Sequence, residues 1–277
     1  MSTRRTRRKE WTMHLLMICI VFVIDFPFLW MLFTSLKPVG ETMTIPPTFL
    51  PRSISWDGFI RAVDGNFAQY FINSLYIALI TTAAALVLGI MAGIGFSRYR
   101  FRGSRGFQLG ILVTQLFPLI LLVTPYYVLM SRFGLIDKHL SLIITYCAFT
   151  LPFCVWMLNT YFHSVPVDME ESAMIDGCSR LGAYFRITIP LAAPGIAATA
   201  IFAFVLAWNE FIFANTFLDS AAMRTLPIGL RTFIGQYSTE WNVLMAASVI
   251  TTLPVVLMFV FLQKHFIRGM TSGSVKG

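Results

Sequence analysis

Charge is scarce in this chain. Asp, Glu, Lys and Arg make up 12% of its 277 residues, against about a quarter in an ordinary soluble domain, and that shortage excludes a soluble globular protein. The motifs of several chemistries are missing as well. No lysine follows a glycine, so the phosphate-cradling G-x-x-x-x-G-K-[ST] loop is absent and the chain is not an ATPase by that route. Neither H-E-x-x-H nor G-x-S-x-G occurs, and His14, His139, His163 and His265 stand far apart near the ends of apolar runs, which reads as interfacial placement. Cys19, Cys147, Cys154 and Cys178 show no C-x-x-C and no Cys/His metal spacing. Cys147 and Cys154 lie two helical turns apart, too far for a disulfide, so neither a metal nor a redox role is expected.

Apolar surface is abundant instead. With 57% hydrophobic residues and a mean hydropathy of +0.72, the outside of the fold as well as its core must avoid water, so the solvent is a bilayer. Crossing a hydrocarbon core of about 30 Å takes about 20 helical residues. Six stretches qualify: Trp11 to Phe33, Phe71 to Phe96, Phe107 to Met130, His139 to Phe162, Leu191 to Leu218 and Trp241 to Leu262. The expected fold is all-α with six transmembrane helices, and an even number puts both termini on one side.

The basic residues say which side. Arg4, Arg5, Arg7, Arg8 and Lys9 precede a run too long for a signal-peptide core and followed by no small-x-small cleavage site, so the first helix is expected to be retained. Fourteen of the 21 Lys and Arg residues fall on the side of the termini and seven on the other. The positive-inside rule then makes both termini cytoplasmic. This sidedness also accounts for the net charge of +8 without nucleic acid, because the Arg98, Arg100, Arg102, Arg105 cluster has no folded basic domain around it. Lipid is the expected surrounding partner.

Two outer segments have content of their own. After Pro38, Pro46, Pro47 and Pro51, the residues Trp56, Phe59, Ile60, Val63, Phe67 and Tyr70 recur at helical spacing, as in a helix lying in the interface or meeting an outside partner. Asp219 to Glu240 is the second, with an amphipathic middle around Leu226 to Ile234. Within the spans, Gly89 and Gly93 form a G-x-x-x-G, and Gly195, Thr199, Ala203 and Ala207 repeat every four residues. Such stripes let helices approach closely, either inside one bundle or between subunits. Asp25 and Glu210 are acids inside predicted spans, each expected to face protein or a water-filled cavity. Trp208, Asn209 and Glu210 place an aromatic face, an amide and a carboxylate within one turn, suited to sugar hydroxyls in a pathway or to a buried network joining helices.

The segment between the fourth and fifth spans, residues 163–190, parses as two short helices. Pro166 suits a first turn, Asp168, Glu170 and Glu171 complement the positive end of the helix dipole, and Gly177 suits a left-handed stop. Ser179 caps a second helix that ends before Pro190. With Ala173, Met174 and Ile175 among its acids, the pair suits a groove in another protein.

Glu171-Ser172-Ala173, three residues, Gly177, nine residues, then Ile187-Thr188-Ile189-Pro190 resembles the E-A-A-x-x-x-G-x9-I-x-L-P signature of permease subunits of bacterial ABC importers. Ser172 and Ile189 are its two departures. The stretch from Phe26 to Pro38 and the ending from Gly269 to Gly277 resemble the carbohydrate-uptake, MalG-like branch. The resemblance implies a type I ABC importer permease fold in the bacterial cytoplasmic (inner) membrane, one permease domain over 1–277, with a five-span core over 71–262, a coupling loop over 163–190 and a cytoplasmic tail over 264–277. It implies a second homologous permease, two copies of a cytoplasmic ABC ATPase that bind ATP and Mg, and an extracellular or periplasmic solute-binding protein; this chain itself holds no cofactor. Carried over residue by residue, Glu170, Glu171, Ser172, Ala173, Asp176, Gly177, Ile187 and Pro190 are expected to dock the ATPase. Ser272, Gly273, Lys276 and Gly277 are expected to approach the paired ATPases, and Trp208, Asn209 and Glu210 to line the sugar pathway. Two other classes stand beside this one: an intramembrane enzyme, and a proton-driven carrier working through the intramembrane acids.

Overall fold

The computed structural model describes residues 2–235 and 239–273, with side chains over 10–235 and 239–263. The chain is helical along most of that length. In order come α1 (Ser2–Ser35), α2 (Asp57–Val63), α3 (Phe67–Arg98), α4 (Ser104–Thr114), α5 (Leu119–Arg132) and α6 (His139–Ser164). They are followed by α7 (Val167–Ile175), α8 (Arg180–Ala183), α9 (Ala193–Trp208), α10 (Ile212–Phe217), α11 (Leu226–Thr232) and α12 (Trp241–Gly273). Among the described residues, four helices are long and apolar enough to cross a membrane: Glu10–Ser35, Phe67–Arg98, His139–Ser164 and Trp241–Gln263. Each matches an expected span within a few residues at most ends, because an uninterrupted apolar run of that length forms one helix in lipid.

The other two expected spans are broken. Phe107 to Met130 was expected to be one helix; the structure has α4 and α5 bent by 95°. Pro118 is the cause: it stands at the N-cap of α5 with an extended ψ of 123°, and it cannot donate to the helix before it. Leu191 to Leu218 likewise divides. Arg180–Leu191 and Ala193–Trp208 meet at 73°, and α9 stops at Trp208, ten residues short of the expected end, before α10 begins.

The described residues fall into two compact units. In the first, Met1–Phe67 with Leu230–Thr252, the segment after α1 is held by a buried carboxylate. Glu41 Oε1 accepts from the Thr48 hydroxyl at 2.8 Å and from the Arg52 amide at 2.9 Å, and the Lys37 ammonium donates to the Thr48 carbonyl. Burial alone would raise the Glu41 carboxyl, but those bonds and the charges of Lys37 and Arg52 hold it below its ordinary value. Phe49 stacks on Phe26 with centroids 5.4 Å apart. The helix expected to carry Trp56 to Tyr70 ends early: α2 stops at Val63, with Trp56, Ile60 and Val63 exposed, while Phe67 and Tyr70 fall in α3 and are buried. A Cβ on Gly58 would come within 2.8 Å of the Asn242 carbonyl, so only glycine lets α2 lie this close. Asp25 is exposed on α1.

The second unit, Ala68–Gly229 with Leu253–Gly277, is built on α3, α6 and α9. The glycines of both small-residue stripes face α6 inside it. Ala85, Cys154 and Ala203 form a buried cluster from the three helices. A Cβ on Gly93 would sit 3.1 Å from the Asn159 amide, and one on Gly195 only 2.0 Å from the Tyr161 ring. Both stripes therefore act within one chain, where lipid offers no competing attraction and van der Waals contact decides packing.

Candidate functional site

Local stereochemistry shapes the 163–190 loop. Pro166 precedes α7 as its N-cap residue, and Asp168 and Glu170 fall in the first turn, where negative charge suits the dipole. At the other end Gly177 takes φ +88° with nothing within 4 Å of where its Cβ would be. The Cys178 amide donates to the Ala173 carbonyl at 3.0 Å and the Gly177 amide to Met174 at 3.1 Å. This pair of bonds is the Schellman arrangement, which needs a left-handed residue at the turn. Ser179 then caps α8, accepting from the Gly182 amide at 3.2 Å. From Tyr184 to Thr188 the backbone widens into a π-turn before Ile189–Leu191. Pro190 supplies a reason, since its ring would crowd the carbonyl four residues back in an ordinary helix.

The loop's outer surface is apolar at several points. Ile175 is 85% exposed, Phe185 69% and Leu181 67%. Glu171, Ser172, Asp176, Gly177 and Pro190 are exposed beside them, while Ala173 and Ile187 are half-buried. Glu170 behaves differently from its neighbour. It is 4% exposed and turns inward, where its Oε1 lies 2.7 Å from Arg98 Nη2. Leu181, Phe185 and Arg98 are not among the residues expected from sequence. The first two carry no motif signal, and Arg98 reads there as one more positive-inside arginine.

The trio Trp208, Asn209, Glu210 does not act as one surface. Trp208 is buried, stacked on Phe204 at 5.6 Å and edge-on to Phe71 at 5.5 Å. Asn209 is exposed, its amide donating back to the Val205 carbonyl at 3.0 Å. Glu210 sits in the break between α9 and α10. Its carboxylate accepts from the Phe213 amide at 2.8 Å, the Ala214 amide at 3.1 Å and the Tyr146 hydroxyl at 2.5 Å. It thus satisfies the first amides of α10, which explains why the long helix is interrupted here. Asn209 and Glu210 line a cleft of about 500 Å³ with Phe202, Val205 and Ile212. Of the tail residues, Lys276 and Gly277 lie outside the described residues, as do the side chains at Ser272 and Gly273. Among the described residues no three His, Cys, Asp or Glu side chains gather as a metal site.

Known proteins resemble this arrangement along most of its length. A family model for the binding-protein-dependent transport system inner membrane component matches residues 85–272. The inner membrane ABC transporter permease protein YcjP of Escherichia coli is 38% identical over 255 residues, 91% of each chain. The sulfoquinovosyl glycerol transport system permease protein SmoH of Agrobacterium fabrum is 36% identical over 253 residues, 91% of this chain and 89% of that one. In fold, a bacterial ABC transporter involved in import of the acidic polysaccharide alginate matches with a TM-score of 0.77 at 21% identity, over 95% of this chain and 98% of that one.

Proposed function

The chain belongs to the family of binding-protein-dependent transport system inner membrane components, and from that premise we propose that it works as one of a pair of six-span permeases with both termini in the cytoplasm. It is a membrane permease subunit of a carbohydrate-type ABC importer, and it has no P-loop of its own. The bent pairs Ser104–Arg132 and Arg180–Trp208 count as one span each in this reading, and the distribution of basic residues supports the orientation. The core of the permease domain is 71–262.

The observation that carries the mechanism is the loop of residues 163–190, a two-helix element that turns at Gly177 in the left-handed region and presents Ile175, Leu181 and Phe185 on its exposed face. Exposed apolar side chains rimmed by Glu171 and Asp176 suit a groove on a cytoplasmic ATPase. Two ATPase copies, which bind ATP and Mg, dock on the two permeases. Their closure draws the loops together and rocks the helices between inward-facing and outward-facing states, while an extracellular or periplasmic binding protein delivers a sugar or sugar derivative. The tail from 264 to 277, with Ser272, Gly273, Lys276 and Gly277, approaches the same ATPases. The cleft beside Asn209 borders the pathway, with Trp208 as its packed backing. The saturated Glu210 carboxylate fixes the shape of that wall.

Purification of the tagged chain from its native membrane in mild detergent tests this reading. Recovery of a P-loop ATPase and a second permease, with uptake of sugar into proteoliposomes that stops on ATP depletion, is the expected result. A stable complex without an ATPase, with uptake that follows the proton gradient, would overturn it.

A further inference from the structure

Glu170 and Glu171 are adjacent in sequence and part company in space. Glu171 is exposed on α7, whereas Glu170 sits at a junction of four helix ends. Its Oε1 accepts from Arg98 Nε at 2.8 Å and from the Thr188 hydroxyl at 2.5 Å, and forms an ion pair with Arg98 Nη2 at 2.7 Å. Arg98 is the last residue of α3, and its Nη2 also donates to the Val165 carbonyl at 3.0 Å, one residue past the end of α6. Thr188 is fully buried and closes the π-turn that leads into α9. A second layer lies outside the first: the hydroxyls of Tyr99 and Tyr184 are 3.2 Å apart, and the Arg180 guanidinium lies 5.9 Å from the centre of the Tyr99 ring.

A buried ion pair is a poor way to gain stability alone, since two apolar side chains of similar volume often hold a fold as well or better. What a planar guanidinium adds is directional stiffness, because its fork fixes the distance and angle to each acceptor at once. Here the acceptors belong to α7 and to the end of α6, and the same carboxylate holds the π-turn through Thr188. A push on the docking helix therefore reaches α3 and the head of α9 without slack. The side chains of the pair are each 5% exposed, so bulk water competes little for these bonds.

We infer that Arg98 is a positioning residue for energy coupling: through Glu170 it locks the docking helix to the end of α3, and through Glu170 and Thr188 to the π-turn ahead of α9, so that displacement of the loop becomes displacement of the pathway helices. Neither Arg98 nor Glu170 touches sugar or ATPase in this scheme. The inference rests on the coupling role proposed above for residues 163–190.

The test separates a transmitting link from a merely structural one. The complete importer, with its partner permease, ATPases and binding protein, is reconstituted in proteoliposomes carrying the double substitution Arg98→Met with Glu170→Met, which removes both charges and keeps apolar packing. Co-purification with the ATPase and melting temperature should match the unsubstituted complex, while sugar uptake and the stimulation of ATP hydrolysis by loaded binding protein fall about tenfold or more. Thr188→Val, which deletes one hydroxyl, should lower the stimulation ratio in a complex that still co-purifies with its ATPase. Uptake and stimulation indistinguishable from the unsubstituted importer in both variants would overturn the inference and leave the importer reading intact. An unsubstituted complex with no ATP-driven uptake would overturn that reading, and the inference with it.

Discussion

Two breaks in this molecule are closed by a buried or half-buried glutamate, and the donors differ. At the loop, Glu170 takes a full positive charge from Arg98 as well as the Thr188 hydroxyl. At the α9–α10 break, Glu210 takes three neutral donors, Tyr146 and the amides of Phe213 and Ala214. The first arrangement joins elements 72 and 18 residues apart in sequence. Two of the bonds in the second reach only three and four residues along the chain. A charged partner gives a stiff link between separate helices, and local amides give a cap that ends one helix and starts the next. In the coupling scheme proposed above, movement passes through the first kind of junction, whereas the second sets a shape.

Breaking the charged junction from one side should give the largest effect. Arg98→Met alone strands the Glu170 carboxylate, which for a buried pair costs about 3–5 kcal/mol, so little assembled complex should survive detergent extraction, and the added Glu170→Met should restore it. Single and double variants that melt alike would erase the contrast. Glu210→Gln keeps the shape and removes the charge, with an expected loss of about 1–3 kcal/mol in melting and no change in the sugar KM of the surviving protein. A shifted KM at unchanged stability would instead make Glu210 a direct sugar contact.

Gly177→Val probes the loop chiefly through the backbone, because nothing lies within 4 Å of the new Cβ and φ is +88°. A strained residue there costs about 1–3 kcal/mol, felt as weaker co-purification of the ATPase and lower uptake, and Gly177→Asn should be milder because Asn tolerates this region. The smallest effect belongs to a third carboxylate. Asp137 Oδ1 accepts from the amides of Asp219 and Ser220, both at 3.0 Å. The Ser220 hydroxyl and amide, then the Asp219 amide, hold its carboxyl below the ordinary value against the opposing pull of burial. The folded state thus favours the ionised form. Its contribution is complete above the unfolded value of about 3.9 and disappears as pH falls through the lower folded value. Melting curves of Asp137→Asn and the unsubstituted chain should differ at neutral pH and converge on acidification.

The α3, α6 and α12 spans and the 163–190 loop were legible because each is governed by neighbours in sequence: long apolar runs for the helices, Pro166, Gly177 and Ser179 for the loop. The bends were less so. Pro118 was present in the sequence, but an apolar run through it reads as continuous, and Glu210, which caps α10 locally, is also held by Tyr146, 64 residues away, a partner the sequence does not name. The G-x-x-x-G and the stripe from Gly195 announced close packing without naming a partner. The structure supplies Leu158, Asn159 and Tyr161 of α6 as the surfaces they meet.

The sequence by itself determined that the chain lives in a bilayer, which of its runs are helical, the family it resembles and where the turn of the 163–190 loop lies, since these follow from composition, periodicity, motif and local stereochemistry. Only the tertiary structure decided which carboxylate points inward. Glu170 and Glu171 are chemically identical and one residue apart, so about 100° of helical rotation separates them, and what lies on the inner side is an arginine from the far end of another helix.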